Sequence, residues 1–196
     1  FNYDEFFRDE EHVREAPRTY YGLCSFMDQQ IGHVLRTLEE TGQAEHTLII
    51  YTADHGEMLG HMGLWAKCLM YEGSAGVPMI VAGPGVPAGA TIDTPVSHVD
   101  CYPTILELVG VAATEEEATL PGRSLVSLAN GEQPERAVLS EYHDGGAITG
   151  MFMTRDEQWK YVSYPGYDPQ LFDLDEDPDE LVDRGTDPGY QEVRAR

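Results

Sequence analysis

The run Leu48, Ile49, Ile50, Tyr51 is contiguous, apolar and stops just before Asp54, His55 and Gly56. It constrains the fold more than any other part of the chain. Successive apolar residues bury both faces of a strand, and such strands belong to parallel sheets covered by helices. A helical pattern precedes it. Leu23, Phe26, Met27, Ile31, Val34, Leu35 and Leu38 recur at helical spacing over Tyr20–Glu40, and Gly42 suits the stop. A second run, Val77–Gly83, keeps Pro78 at its start. Asp100 can then cap another helix, with Pro103 in its first turn, Ile105, Leu106, Leu108 and Val109 on its face, and Gly110 at its end. Helix, strand, loop, strand, loop, helix predicts an α/β fold with a parallel or mixed sheet.

Composition changes after Val111. The acidic connector "ATEEEATLPG" leads into short β-like pieces: "AVLSEY", "GMFMTR", "WKYVSY" and "QLFDL". These predict a small antiparallel sheet appended to the α/β part. The expected division is residues 1–112, part of an α/β catalytic core, and residues 113–196, a small C-terminal subdomain.

Acidic residues number 35 against 12 basic ones, a formal charge of -23. Such a surface repels nucleic acid and anionic lipid, and the excess of acid suits concentrated salt, where repulsion is screened. No apolar run is long enough to cross a membrane. The three cysteines, Cys24, Cys68 and Cys101, form no Cys-x-x-Cys pair, which argues against a disulfide framework and suits a cytoplasmic setting. The chain opens at Phe1, with Asp4, Glu5, Asp9 and Glu10 close behind, and reads as part of something longer.

Ligand sites in open α/β sheets lie at the carboxyl ends of strands. Asp54 and His55 fall there, and Gly56 permits the backbone to turn. A carboxylate plus an imidazole suits Mg, Ca, Mn or Zn without choosing among them; an ordinary capped turn is the alternative. Lys67 closes a loop containing Gly56, Gly60 and Gly63, and only Lys160 joins it as a lysine. An ammonium on such a loop can hold a sulfate or phosphate oxygen, or stand solvated at the surface.

The stretch "TLIIYTADHGEMLGHMGLWAKCLMYEGSAGVPMIVAGPG" resembles the sulfatase branch of the alkaline-phosphatase-like superfamily, choline-sulfatases and phosphonate monoester hydrolases above all. The likeness continues through "SHVDCYPTILELVGV" and "PQLFDLDEDPDEL". It implies that Asp54 and His55 are two ligands of one divalent metal, commonly calcium, with manganese or magnesium as alternatives. It also implies that Lys67 contacts the sulfate of a small-molecule ester. In that family a cysteine in Cys-x-Pro-Ser-Arg becomes formylglycine, whose hydrate attacks sulfur.

That motif is absent here. "CYPTI" at Cys101 imitates it, but Thr104 and Ile105 replace Ser and Arg. The chain therefore resembles the C-terminal half of such an enzyme, and is expected to be inactive alone. Quaternary ammonium recognition uses aromatic faces and a carboxylate. "SEYHDGGA" offers Glu141, Tyr142 and Asp144, with Glu141 the candidate substrate contact. Asp173, Asp175 and Asp177 are spaced like a calcium loop, but Pro178 and Arg184 occupy positions that need Gly and Glu. The expected activity is sulfate-ester hydrolysis. A phosphonate or phosphate ester hydrolase on the same scaffold, or a non-catalytic binding or assembly module, is the rival, and a homo-oligomer is compatible with either.

Overall fold

A computed structural model describes residues 9–132, 134–143 and 145–195. The chain forms two compact units, Phe1–Lys67 with Val77–Pro84, and Cys68–Gly76 with Gly85–Arg196.

The first unit is built from α1 (Glu10–Glu40), β1 (Ile49–Thr52) and β2 (Met79–Ala82). The helix begins ten residues before the expected start at Tyr20. Asp9 caps it, accepting the amides of Glu11 and His12 at 3.0 Å. Pro17 lies inside the helix, past its first turn, where its missing N–H forgoes one hydrogen bond and its ring crowds the preceding turn. The C-terminus follows expectation. Gly42 adopts φ 69°, with bonds from Gly42 N to Glu39 O and Gln43 N to Leu38 O, the Schellman pattern.

The two strands pair antiparallel, Ile49 opposite Ala82 and Thr52 opposite Met79. The connection between them holds a 3-10 turn and the four-residue helix α2 (Glu72–Ala75). β1 is half-buried along its length, and Ile80 of β2 is exposed. The expected core face of α1 is likewise open: Leu23, Phe26 and Val34 are each more than 60% exposed.

The second unit holds α2, α3 (Cys101–Leu108), α4 (Leu125–Ala129), a four-stranded sheet and a short terminal helix, α5 (Gln191–Arg194). The sheet is the expected antiparallel meander: β3 (Val138–Tyr142), β4 (Met151–Arg155), β5 (Trp159–Ser163) and β6 (Gln170–Asp173), in that order. Met70, Met153 and Val162 form a buried cluster, with Ala75, Tyr142, Met151 and Tyr164 packed against it.

Asp100 does not cap the start of α3 by its side chain. It completes a capping box with Ser97 in the preceding 3-10 turn and is fully buried. Its two oxygens accept a bidentate pair from Arg136 at 3.1 Å, and one also accepts the Arg123 amide. No helix among the described residues is long and apolar enough to cross a membrane.

Candidate functional site

β1 delivers the chain to Asp54, whose Oδ1 accepts the His55 amide at 3.0 Å. The His55 ring turns back on its own backbone, with Nδ1 2.9 Å from the Gly56 carbonyl. A carbonyl only accepts, so Nδ1 carries a proton, which leaves Nε2 as the nitrogen that can offer a lone pair. That nitrogen lies 3.7 Å from Asp54 Oδ2. The Asp54 side chain is 88% exposed and that of His55 43%, so neither is committed to a core.

This donor set fits part of a cation site. A tied Nδ1 fixes the ring and leaves Nε2 for a ligand, which is how metal-binding histidines are held. A cation needs more ligands than two, and no group of three His, Cys, Asp or Glu is arranged to hold one among the described residues.

Beyond Gly56 the chain ties a compact knot. Met58 N bonds to Ala66 O at 2.9 Å, and Gly60 N to Leu64 O at 2.8 Å. Met58 is buried, and the Trp65 ring lies so close over Gly60 that a Cβ there would meet it at 2.9 Å. Trp65 is therefore packing for the knot. The Glu57 carboxylate sits inside the turn, with Oε1 accepting the amides of Leu59 at 3.2 Å and Ala66 at 2.6 Å. Lys67 leaves the knot directly after Ala66 and is exposed. Asp54, His55 and Lys67 thus fall within one compact unit. Sequence reading missed Glu57; its only signal was an acid at the mouth of a glycine-rich loop.

Glu141 belongs to the second unit, on β3. Its Oε2 lies 3.0 Å from His143 Nε2, and the His143 ring meets Phe152 edge-on at 4.9 Å. Its neighbour Asp144 lies outside the described residues. Burial, and then the Asp100 carboxylate, push the Cys101 thiol above its ordinary range, which opposes a reactive thiolate. Asp177 accepts the amides of Leu181 and Val182, as in an ordinary acidic turn.

The geometry is that of an α/β protein with polar ligand candidates at a strand end. Its sequence matches the family described as Sulfatase over residues 2–111. It also matches the family described as N-sulphoglucosamine sulphohydrolase, C-terminal, over residues 60–196. The chain belongs to the sulfatase family. It is similar to a choline-sulfatase of Rhizobium meliloti, with 40% identity over 99% of this chain and 40% of that protein. Arylsulfatase K of Danio rerio is 38% identical over 88% of this chain and 34% of its own length. Among solved structures, a phosphonate monoester hydrolase from Silicibacter pomeroyi superposes with a TM-score of 0.85 and 29% identity. That match covers all of this chain and 42% of the other. The chain thus spans less than half the length of these relatives, and its fold is that of the alkaline-phosphatase-like sulfatases.

Proposed function

We propose that the protein to which this chain contributes is a metal-dependent hydrolase of sulfate esters. The observation that carries the reading is the strand-end pair: Asp54 Oδ2 and His55 Nε2 lie 3.7 Å apart, with Nδ1 held by the Gly56 carbonyl. In this reading both groups hold one divalent cation, calcium first, manganese or magnesium as alternatives. The cation would neutralise charge on the transferring group. Lys67 would bind a sulfate oxygen as a point charge and oppose the repulsion of an acidic surface. The sequence has no Cys-x-Pro-Ser-Arg stretch, so this chain by itself would not turn over substrate.

The likeness to a choline-sulfatase supports a small cationic sulfate ester as substrate, with Glu141 as a candidate contact for its cation. The likeness to a phosphonate monoester hydrolase supports a second reading on the same residues.

The test uses the complete protein. Metal content is measured for wild type and His55→Ala, and the variant should retain much less; equal metal in both removes the ligand role. Lys67→Ala should lower kcat/KM for sulfate esters by about 100-fold. Faster hydrolysis of an aryl phosphonate monoester than of aryl sulfate or choline-O-sulfate would favour the second reading.

A further inference from the structure

Non-glycine residues avoid the left-handed backbone region, because Cβ meets the carbonyl oxygen there. Leu59, Met62, Ala66 and Cys68 all adopt it, with φ 50°, 51°, 64° and 76°. Beyond this stretch Glu180 is the remaining such residue among the described ones. Lys67 therefore stands between two strained neighbours. Strain of this kind persists only where the surroundings over-determine the backbone, and it clusters at working sites. The knot has an identifiable source of that constraint. The amides that Glu57 holds belong to Leu59 and Ala66, two of the strained residues themselves. The 2.6 Å bond to Ala66 N joins residues nine apart and holds the Trp65–Ala66 peptide, one residue before Lys67.

We propose that Glu57 is a positioning residue: by accepting the Leu59 and Ala66 amides it holds the strained turn that aims the Lys67 ammonium at the anionic group of the substrate. This rests on the role proposed for Lys67. What Glu57 supplies is an oxygen acceptor at a fixed reach. Gln keeps an oxygen at that reach. Asp keeps the charge but withdraws the oxygen by one methylene.

A role for the oxygen at that reach and a role for the Glu57 charge predict opposite orders among the variants. In the complete protein, kcat and KM are measured with a chromogenic aryl sulfate, alongside metal content and thermal stability. Glu57→Gln should stay within about threefold of wild-type kcat/KM, while Glu57→Asp and Glu57→Ala lose about 10- to 100-fold. Metal content should be unchanged in all three. On a Lys67→Ala background Glu57→Asp should cost nothing more, because its effect passes through the lysine. An active Asp variant beside an inactive Gln variant overturns the inference, as do independent losses in the double variant or metal lost on substitution at Glu57. Should Glu57→Ala fail to fold, the Asp and Gln pair still decides. If Lys67→Ala alone keeps full activity, the reading of Lys67 fails, an outcome distinct from failure of Glu57 alone.

Discussion

Lys160, the other lysine of the chain, is fully buried. Its Nζ donates to the Met70 carbonyl at 3.1 Å and to Glu72 Oε1 at 2.5 Å, and lies 2.7 Å from Glu180 Oε1. A charge at this depth is tolerated only when paired and hydrogen-bonded. Lys160→Met would strand the buried Glu180 carboxylate, and should cost about 3–5 kcal/mol in urea denaturation. Burial pushes the Glu72 carboxyl up, but the charge and hydrogen bond of Lys160, helped by Arg155, outweigh it and set it below its ordinary range. A depressed folded value stabilises fully above the unfolded value of 4.5 and fades as pH falls through the lower one. The acid limb of a stability-against-pH curve should therefore flatten in Lys160→Met. A second carboxylate reports on a single contact. Glu117 is held down to about 2, first by the Tyr102 hydroxyl and then by the Thr114 amide. Tyr102→Phe should return it toward 4.5, read by NMR titration of the side-chain carboxyl carbon.

At the scale of elements, two glycines share a backbone demand but not a neighbourhood. Gly42 ends α1 at φ 69° with open space where a Cβ would stand. Gly83 follows β2 at φ 132°, and a Cβ there would lie 2.6 Å from the Thr47 carbonyl oxygen. Gly42→Ala should cost about 1 kcal/mol, the left-handed penalty alone. Gly83→Ala should cost clearly more, because backbone must move beside the β1–β2 pair; chemical denaturation of both variants measures the difference. These elements also show how local signals became legible. The C-terminus of α1 was readable because Gly42 names its own conformation. Its N-terminus was not, because the apolar spacing begins only at Leu23, whereas the Asp9 cap and the polar turns after it carry no such pattern. The meander β3–β6 was readable because its short strands are separated by turn chemistry that needs no distant partner. The antiparallel pairing of β1 with β2 was not readable, because apolarity reports burial and not strand direction.

For the whole molecule, the charge of -23 sets a self-repulsion that salt should relieve. The screening length falls from about 10 Å at 0.1 M to about 3 Å at 1 M. Thermal melting should therefore shift upward between 0.1 M and 1 M potassium chloride; an unchanged or lower midpoint would remove the inference of salt adaptation. The exposed Leu23, Phe26 and Val34 of α1 and Ile80 of β2 show that the apolar pattern of this chain exceeds what the described residues bury. The chain spans 40% of the length of the choline-sulfatase it resembles, so its apolar faces and its two-ligand strand end are both read against a larger whole.

The sequence alone determined the local matters: the C-terminal end of α1, the two apolar strands, the antiparallel C-terminal sheet, the placing of Asp54 and His55 at a strand end, and the rarity of Lys67. Each depends on neighbours a few residues away, and the chain carries those neighbours with it. Tertiary structure decided what depends on groups far apart in the chain. It paired β1 with β2 antiparallel, buried Lys160 between Glu72 and Glu180, joined Asp100 to Arg136, and set the Glu57 oxygen against the Ala66 amide. A side chain's charge and size are written at its own position; the partner that makes it a clamp, a buried ion or a solvated tip is chosen only when the chain folds back.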